Sequence, residues 1–184
     1  MKFNNIKTFT TTALITFALT IGVSLPSTPV QAQSNNEVQF ICAESFDPES
    51  GKSTPTTFAW GSRGKISFVR WSSEAFSGSS FTPQKRCEIA SPNFQTAYEN
   101  NTLGLITNGR ENNQPVICTS QEYGGECETV LFTLRPEDNS LDILKHFRQI
   151  LDGREIGPIR QSSGTGQAYY KVDIENFLNT APVE

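Results

Sequence analysis

Residues 114–134 read QPVICTSQEYGGECETVLFTL, and this stretch carries the strongest signal for the fold. A run rich in β-branched and apolar residues stands on each side of the polar segment 121–126, which contains two glycines. Two such runs around a glycine-containing turn predict a β-hairpin. The hairpin folds Cys118 back beside Cys127, which favours a disulfide between them.

The N-terminus has the pattern of a secretory signal. Lys2 and Lys7 precede the uncharged stretch ALITFALTIGV at 13–23, and the tripeptide VQA at 30–32 places small residues where signal peptidase cleaves. The apolar stretch is shorter than the roughly 20 residues that span a bilayer. We therefore predict a signal peptide over residues 1–32 that is cleaved, with a retained N-terminal anchor as the alternative. The expected location is the periplasm, the cell envelope or the extracellular space.

The cysteines extend the argument from the hairpin. The chain has four, and an even number in an exported protein is typical of disulfides. Of the three pairings that four cysteines allow, the hairpin favours Cys118–Cys127, which leaves Cys42 to pair with Cys87. A zinc site with all four as ligands is the competing interpretation. It lacks the C-x2-C pairs that zinc ribbons use.

Charge and composition restrict the classes of partner. The chain of 184 residues has a net charge of −4 and an isoelectric point near 5.1. Phosphate binding needs a basic face, so nucleic acid is not expected as a partner. After a polar leader at 33–39, residues 40–184 are long enough for one ordinary domain.

Strand patterns fill the first part of this domain. Strand composition is found at 38–42, 56–60 and 65–71. The second and third of these runs flank the turn 61–64, which predicts a hairpin. Residues 46–55, with Asp-Pro and Ser-Gly dipeptides, predict a loop. Strict alternation along 65–71 puts Ile66, Phe68 and Arg70 on one face and the residues between them on the other.

Helix and hairpin patterns follow. Thr82 before Pro83 is typical of a helix start and predicts a helix to about residue 100 that kinks or restarts at Pro92. A second hairpin is expected around the turn 108–113, and a helix over 141–152. That helix carries an apolar stripe of Leu141, Ile143, Leu144, Phe147, Ile150 and Leu151. A strand at 168–172 and a short helix capped by Asp173 close the chain. The predicted class is α+β, a single domain with an antiparallel sheet of hairpins, two main helices and two disulfides.

Several phrases together carry a resemblance to a known family. They are FICAESFDPESGKSTPTTFAW, GKISFVRW, FTPQKRCEIASPNFQTAYENN, LGLITNGRENNQPVICTS, GGECETVLFTLRP and LDGREIGPIRQSSG. The chain resembles the circadian oscillating protein family of cyanobacteria over about residues 40–177, including all four cysteines. The resemblance implies an exported protein, associated with membranes or the periplasm, whose abundance cycles daily. It implies no catalytic residues, and no membrane anchor is visible once the signal is cleaved.

No side chain is predicted to be catalytic or to bind a metal or cofactor. His146 is the single histidine, and its helix places it with Asp142 opposite the apolar stripe. That position predicts a solvated face rather than a Ser-His-Asp triad. Glu122, Glu126 and Glu128 surround the turn of the cysteine hairpin without EF-hand spacing, so a solvated acidic turn is expected there instead of a calcium site.

Two loops rich in glycine and serine, 72–80 and 157–166, are the candidate contact surface. Arg70-Trp71 precedes the first loop and Arg160-Gln161 lies within the second, and each arginine is suited to a charge-assisted bond with an anionic or carbonyl-rich partner. Trp71, at a strand end, is more typical of a core residue than of an exposed recognition patch.

We therefore expect an exported, non-catalytic binding or envelope-associated protein. Its expected partner is an envelope protein or a glycan, with peripheral membrane association and an oligomeric state that the sequence does not specify. The alternatives are an exported hydrolase that uses carboxylates or a serine, and a hydrolase inhibitor that presents a disulfide-braced loop. Paired carboxylates of the glycosidase type are a geometric feature, and no pair is selected by the sequence.

Overall fold

Two antiparallel sheets and three helices make up the residues that the computed structural model describes, which are 37–72, 81–152 and 166–184. In chain order the elements are β1 (Gln39–Asp47), β2 (Lys52–Gly61), β3 (Gly64–Arg70), α1 (Pro83–Glu99), β4 (Leu105–Glu111), β5 (Gln114–Thr119), β6 (Val130–Thr133), α2 (Ser140–Asp152), β7 (Tyr169–Lys171) and α3 (Ile174–Thr180). All of them belong to one compact unit, Asn35–Glu184. The predicted α+β class with two main helices and a short final one is confirmed, but the strands form two sheets rather than one.

Sheet 1 is the meander β1-β2-β3. Its first connection is tighter than the loop expected at 46–55, because Gly51 has a φ of 67° and its N–H donates to the carbonyl of Asp47 at 2.8 Å. Pro55 is tolerated within β2 because β3 ends opposite Thr56, so no third strand needs the missing N–H there. The loop prediction was therefore wrong for most of its length.

A β-bulge changes the alternation along β3. The β2–β3 register shifts so that Phe68 is an extra residue of β3. Beyond the bulge the faces are exchanged, so that Arg70 lies on the outer face with Ser67, whereas Trp71 joins Phe68 in the core. The expected placement of Arg70 beside Phe68 was wrong, because strict alternation does not survive an inserted residue.

Sheet 2 has the order β6-β5-β4-β7. The turn between β4 and β5 is only Asn112-Asn113, both with left-handed φ values of 49° and 64°. Two such residues suit the two-residue hairpin turns that match the twist of the strands. The six-residue turn expected at 108–113 was too long, since four of those residues extend β4.

Helix α1 begins as predicted. Thr82 Oγ1 accepts from the N–H of Lys85 at 3.2 Å, and Pro83 opens the first turn. The helix runs through Pro92 to Glu99 without a restart. Its buried side chains lie on both sides of Pro92, including Cys87 and Phe94, and their packing holds the two halves in one helix.

The core is dominated by aromatic rings. Phe68 lies at its centre, with ring centroids 5.1 Å from Phe40, 5.1 Å from Phe94 and 5.3 Å from Phe177. Helix α2 adds Phe147 at 5.9 Å from Phe68, from the apolar stripe that the sequence predicts. The three helices and both sheets thus contribute to a single cluster.

Both predicted disulfides are present. Cys42 of β1 is joined to Cys87 of α1, and Cys118 of β5 is joined to Cys127 in the loop before β6. All four cysteines are used. Such bonds persist in oxidising, extracellular-type environments. Among the described residues, no helix is both long enough and apolar enough to cross a membrane.

Candidate functional site

An apolar groove lies between α1 and β6, the edge strand of sheet 2, and we call it the α1–β6 groove. Its volume is about 420 Å³, within the range of small-molecule and side-chain binding pockets. The residues that line it are Trp71, Phe81, Arg86, Ile89, Ala90, Asn93, Gln114, Val130, Leu131, Phe132, Thr133 and Pro136.

Helix α1 supplies one wall of the groove through its periodicity. Arg86, Ile89 and Asn93 follow one another at helical spacing and so share a face. Ile89 is 43% exposed, and Phe81, just before the helix, is 48% exposed. Two large apolar side chains therefore stand at the rim instead of packing into the core.

Trp71 forms part of the floor. Its side chain is 5% exposed, and its Nε1 donates to Thr57 Oγ1 at 3.0 Å. The ring meets Phe132 edge-on at 5.7 Å, and the guanidinium of Arg86 lies 5.5 Å from the ring centroid. The interpretation of Trp71 as a core residue at a strand end is confirmed, and its role in partner binding stays a prediction.

The opposite wall is the outer edge of β6, which pairs with no further strand within residues 37–72, 81–152 and 166–184. Leu134 donates its N–H to the carbonyl of Pro115 at 2.8 Å, and Thr133 is opposite Val116. Hydrogen-bonded and non-hydrogen-bonded pairs alternate in antiparallel strands, so the backbone groups of Thr133 point away from β5. The groove therefore offers main-chain hydrogen-bonding groups beside apolar side chains.

The rim beyond β6 is held by an ion pair. Arg135 Nη2 and Nε lie 2.7 Å and 3.0 Å from Asp138 Oδ1, and the Arg135 N–H donates to Oδ2 at 2.9 Å. Burial raises the pKa of the Asp138 carboxyl, but these bonds from Arg135 outweigh it and leave that pKa below its ordinary value. Asp138 is thus ionised at neutral pH, and the turn carrying Pro136 is pinned.

The other predicted contact residues are placed as follows. Arg70 lies on the outer face of sheet 1, where its Nη2 is 2.8 Å from Glu184 Oε1. Arg160 and Gln161 lie outside the described residues, as do most of the loops 72–80 and 157–166. Within the described residues the structure does not bring Arg70 and Trp71 to one surface, because the two side chains point to opposite faces of sheet 1.

The cysteine hairpin forms a braced loop. Ser120 Oγ donates to the carbonyl of Glu122 at 2.9 Å, and Tyr169 Oη donates to the carbonyl of Gly125 at 2.5 Å. A Cβ on Gly109 of β4 would overlap Cys127 Sγ, so glycine is needed there for the disulfide to pack. The sequence analysis assigned Gly109 to a turn and missed this role, because the requirement comes from a contact between β4 and the loop before β6.

His146 is exposed on α2, on the polar face that the sequence predicts. Across residues 37–72, 81–152 and 166–184, no group of three or more His, Cys, Asp or Glu side chains is arranged to hold a metal ion. Sequence reasoning missed the α1–β6 groove altogether. The available signal was Ile89, an apolar residue outside the buried stripe of α1.

Fold and site together define a small α+β domain, braced by two disulfides and suited to an oxidising environment, with an apolar surface groove. The model of the family described as circadian oscillating protein COP23 matches residues 39–179, and the chain belongs to that family. The resemblance seen in the sequence is thereby confirmed. Comparison with curated proteins and with solved structures gave no match.

Proposed function

We propose that the chain is an exported, non-catalytic binding protein of the cell envelope, and that the α1–β6 groove receives apolar side chains of a partner protein. The observation that carries the proposal is the pair Phe81 and Ile89, nearly half exposed at the rim of an apolar groove. Large apolar side chains grouped around a concavity are typical of interaction sites.

Export is supported by two independent features. The N-terminal 32 residues have the composition of a signal peptide, and all four cysteines of the chain are in disulfides. Peripheral attachment to the envelope then comes through the partner, because the predicted signal is cleaved.

A protein suits the groove better than a glycan. Its lining is mostly hydrocarbon, and burying what remains exposed of Phe81 and Ile89 contributes on the order of 1 kcal/mol for each side chain. The outward backbone groups of Thr133 offer the hydrogen bonds that a polypeptide main chain needs. A sugar ring would leave most of the apolar wall without a matching surface.

Position-specific photo-crosslinking in the native envelope tests the proposal. A photoreactive phenylalanine analogue replaces Ile89 in one variant and Ile150 in a matched control. Ile150 is an isoleucine of similar exposure, 41%, on α2. The cross-linked species are identified by mass spectrometry from the mature exported protein.

The expected result is one or a few defined adducts from position 89 that are absent from position 150. Replacing Phe81 by Asp, with exposed Phe46→Asp as the control, is expected to reduce adduct yield about tenfold, since 1.4 kcal/mol corresponds to a factor of ten. Equal adduct patterns at both positions, or an unchanged yield in Phe81→Asp, contradict the groove as the contact surface.

A further inference from the structure

The outer face of sheet 1 holds a carboxylate, that of Glu184. Ser45 Oγ lies 2.8 Å from Glu184 Oε2 and 3.0 Å from Oε1, and Arg70 Nη2 lies 2.8 Å from Oε1. Ser67 Oγ also donates to Oε1. Both carboxylate oxygens are therefore engaged, by two hydroxyls and one guanidinium, and we call the three donors the carboxylate cradle.

The strands build this cradle. Ser45 comes from β1 and is 5% exposed, so its hydroxyl is fixed in a buried position. The bulge at Phe68 turns Ser67 and Arg70 of β3 to the same outer face. Without the extra residue, Arg70 would point to the opposite face, and no cation would stand beside the two hydroxyls.

The chemistry of the cradle is selective for an anion. Charge-assisted bonds from a guanidinium and from hydroxyls to a carboxylate are shorter and stronger than neutral ones. Burial raises the pKa of Glu184, yet the bonds from Ser67, Ser45 and Arg70 outweigh it and leave that pKa below its ordinary value of 4.5. The ionised form is thus the one that the cradle stabilises.

The segment that fills the cradle is partly exposed. Val183 is 46% exposed, and the side chains of Arg70 and Glu184 are each more than a third exposed. Apart from the carboxylate contacts, the Glu184 N–H donates to the carbonyl of Lys65 at 2.9 Å. An ion pair between groups this exposed contributes little to stability, so an acidic competitor in solution can replace the carboxylate.

The same face has further features that suit an acidic polypeptide. Lys65 stands two residues before Ser67 on β3, and its Nζ lies 5.3 Å from the ring of Trp60, which is half exposed. A cation and an aromatic ring therefore continue the surface from the cradle, at a distance of two residues along an extended strand.

We propose that Ser45, Ser67 and Arg70 form a carboxylate-binding site that accepts an acidic side chain of a partner protein in exchange for Glu184. The site is on the outer face of sheet 1, whereas Trp71 and the α1–β6 groove are on the other side of that sheet. The proposal is therefore independent of the groove, and either one can fail alone.

Peptide binding to the folded protein tests the exchange. The probe is the acetylated, amidated tetrapeptide Ala-Pro-Val-Glu, the sequence of residues 181–184, and the control peptide ends in Gln. Both are titrated into the wild-type protein and into Glu184→Ala, which empties the cradle. Chemical shifts of the Ser45 and Ser67 amides report binding by NMR.

Glu184→Ala is expected to bind the Glu peptide at least ten times more tightly than the Gln peptide. Wild type is expected to bind it at least ten times more weakly than the variant does, since its own Glu184 competes at a millimolar effective concentration. Adding Arg70→Gln to Glu184→Ala is expected to abolish the preference for Glu. Adding Arg110→Gln, an exposed arginine on sheet 2 with the same loss of charge, leaves it intact.

Less than twofold discrimination between the peptides by Glu184→Ala, or a preference that survives Arg70→Gln, overturns the proposal. A chain ended at Ala181 replaces Glu184→Ala if that variant does not fold. If both unfold, Glu184 is a structural residue that does not exchange, and the proposal is wrong.

Discussion

Removing the two disulfides one at a time should destabilise the protein by different amounts. The variants are Cys42→Ala with Cys87→Ala, and Cys118→Ala with Cys127→Ala. They are well matched in packing, because each pair has one fully buried and one half-buried cysteine. The loss of side-chain packing is therefore similar in the two, and the loops that the bonds close differ.

The magnitude follows from the loop lengths. Cys42 and Cys87 are 45 residues apart in sequence, and Cys118 and Cys127 are 9 apart. Closing such loops removes conformational entropy from the unfolded chain that is equivalent to about 4 kcal/mol and about 2.7 kcal/mol at 25 °C. The variant lacking Cys42–Cys87 should therefore be the less stable by about 1.3 kcal/mol.

Urea unfolding at neutral pH measures both free energies. The fluorescence of the two tryptophans, of which Trp71 is buried in the core and Trp60 is half exposed, reports the transition. The dependence of the unfolding free energy on urea should rise in both variants, because an uncrosslinked unfolded chain exposes more surface. If the variant lacking Cys118–Cys127 is as unstable as the variant lacking Cys42–Cys87, or less stable than it, loop entropy does not determine how much these bonds contribute.

Four further outcomes are expected. Gly109→Ala should lower the unfolding free energy by about 1–3 kcal/mol, because its Cβ overlaps Cys127 Sγ; an unchanged urea midpoint speaks against that contact. His146→Ala should change stability by no more than about 0.5 kcal/mol, and a loss of several kcal/mol in the same assay would mean that the polar face of α2 is misassigned. Glu184→Gln should be less stable than wild type by about 1 kcal/mol above pH 5. That difference should shrink as pH falls below about 4, because the bonds that lower the pKa of Glu184 stabilise only its ionised form. A difference in stability that does not depend on pH refutes the charge-assisted bonds. N-terminal mass analysis of exported protein should find a chain that begins near Gln33, and an intact N-terminus in most molecules would indicate an anchor.

Local signals predicted most of the elements correctly. The Thr82-Pro83 start of α1, the apolar stripe of α2 and the Asp173 cap of α3 each depend on contacts within a few residues, and the structure confirms all three. The cysteine hairpin is of the same kind, since its turn lies between the two cysteines that it joins. Errors occurred at turns, where two left-handed asparagines replaced a longer loop.

The candidate sites could be predicted from the sequence much less well than the helices and strands. Arg70 was selected as a partner-binding residue, but the acid that it holds, Glu184, is 114 residues away in sequence. The α1–β6 groove joins a helix to an edge strand, and its two walls share no local pattern. No spacing rule relates residues that meet only after the chain has folded.

By itself, the sequence determined the family, the α+β class, the disulfide pairing and most helix boundaries, because composition, capping and hydrophobic period act over short distances. The tertiary structure alone decided that the strands divide into two sheets, that the bulge at Phe68 reverses the faces of β3, and that Gly109 must leave room for a disulfide. It also decided which apolar side chains of α1 are buried and which, like Ile89, remain at a surface. The physical reason is that burial and strand register depend on packing between segments that are distant in sequence. The same local pattern is compatible with several such packings.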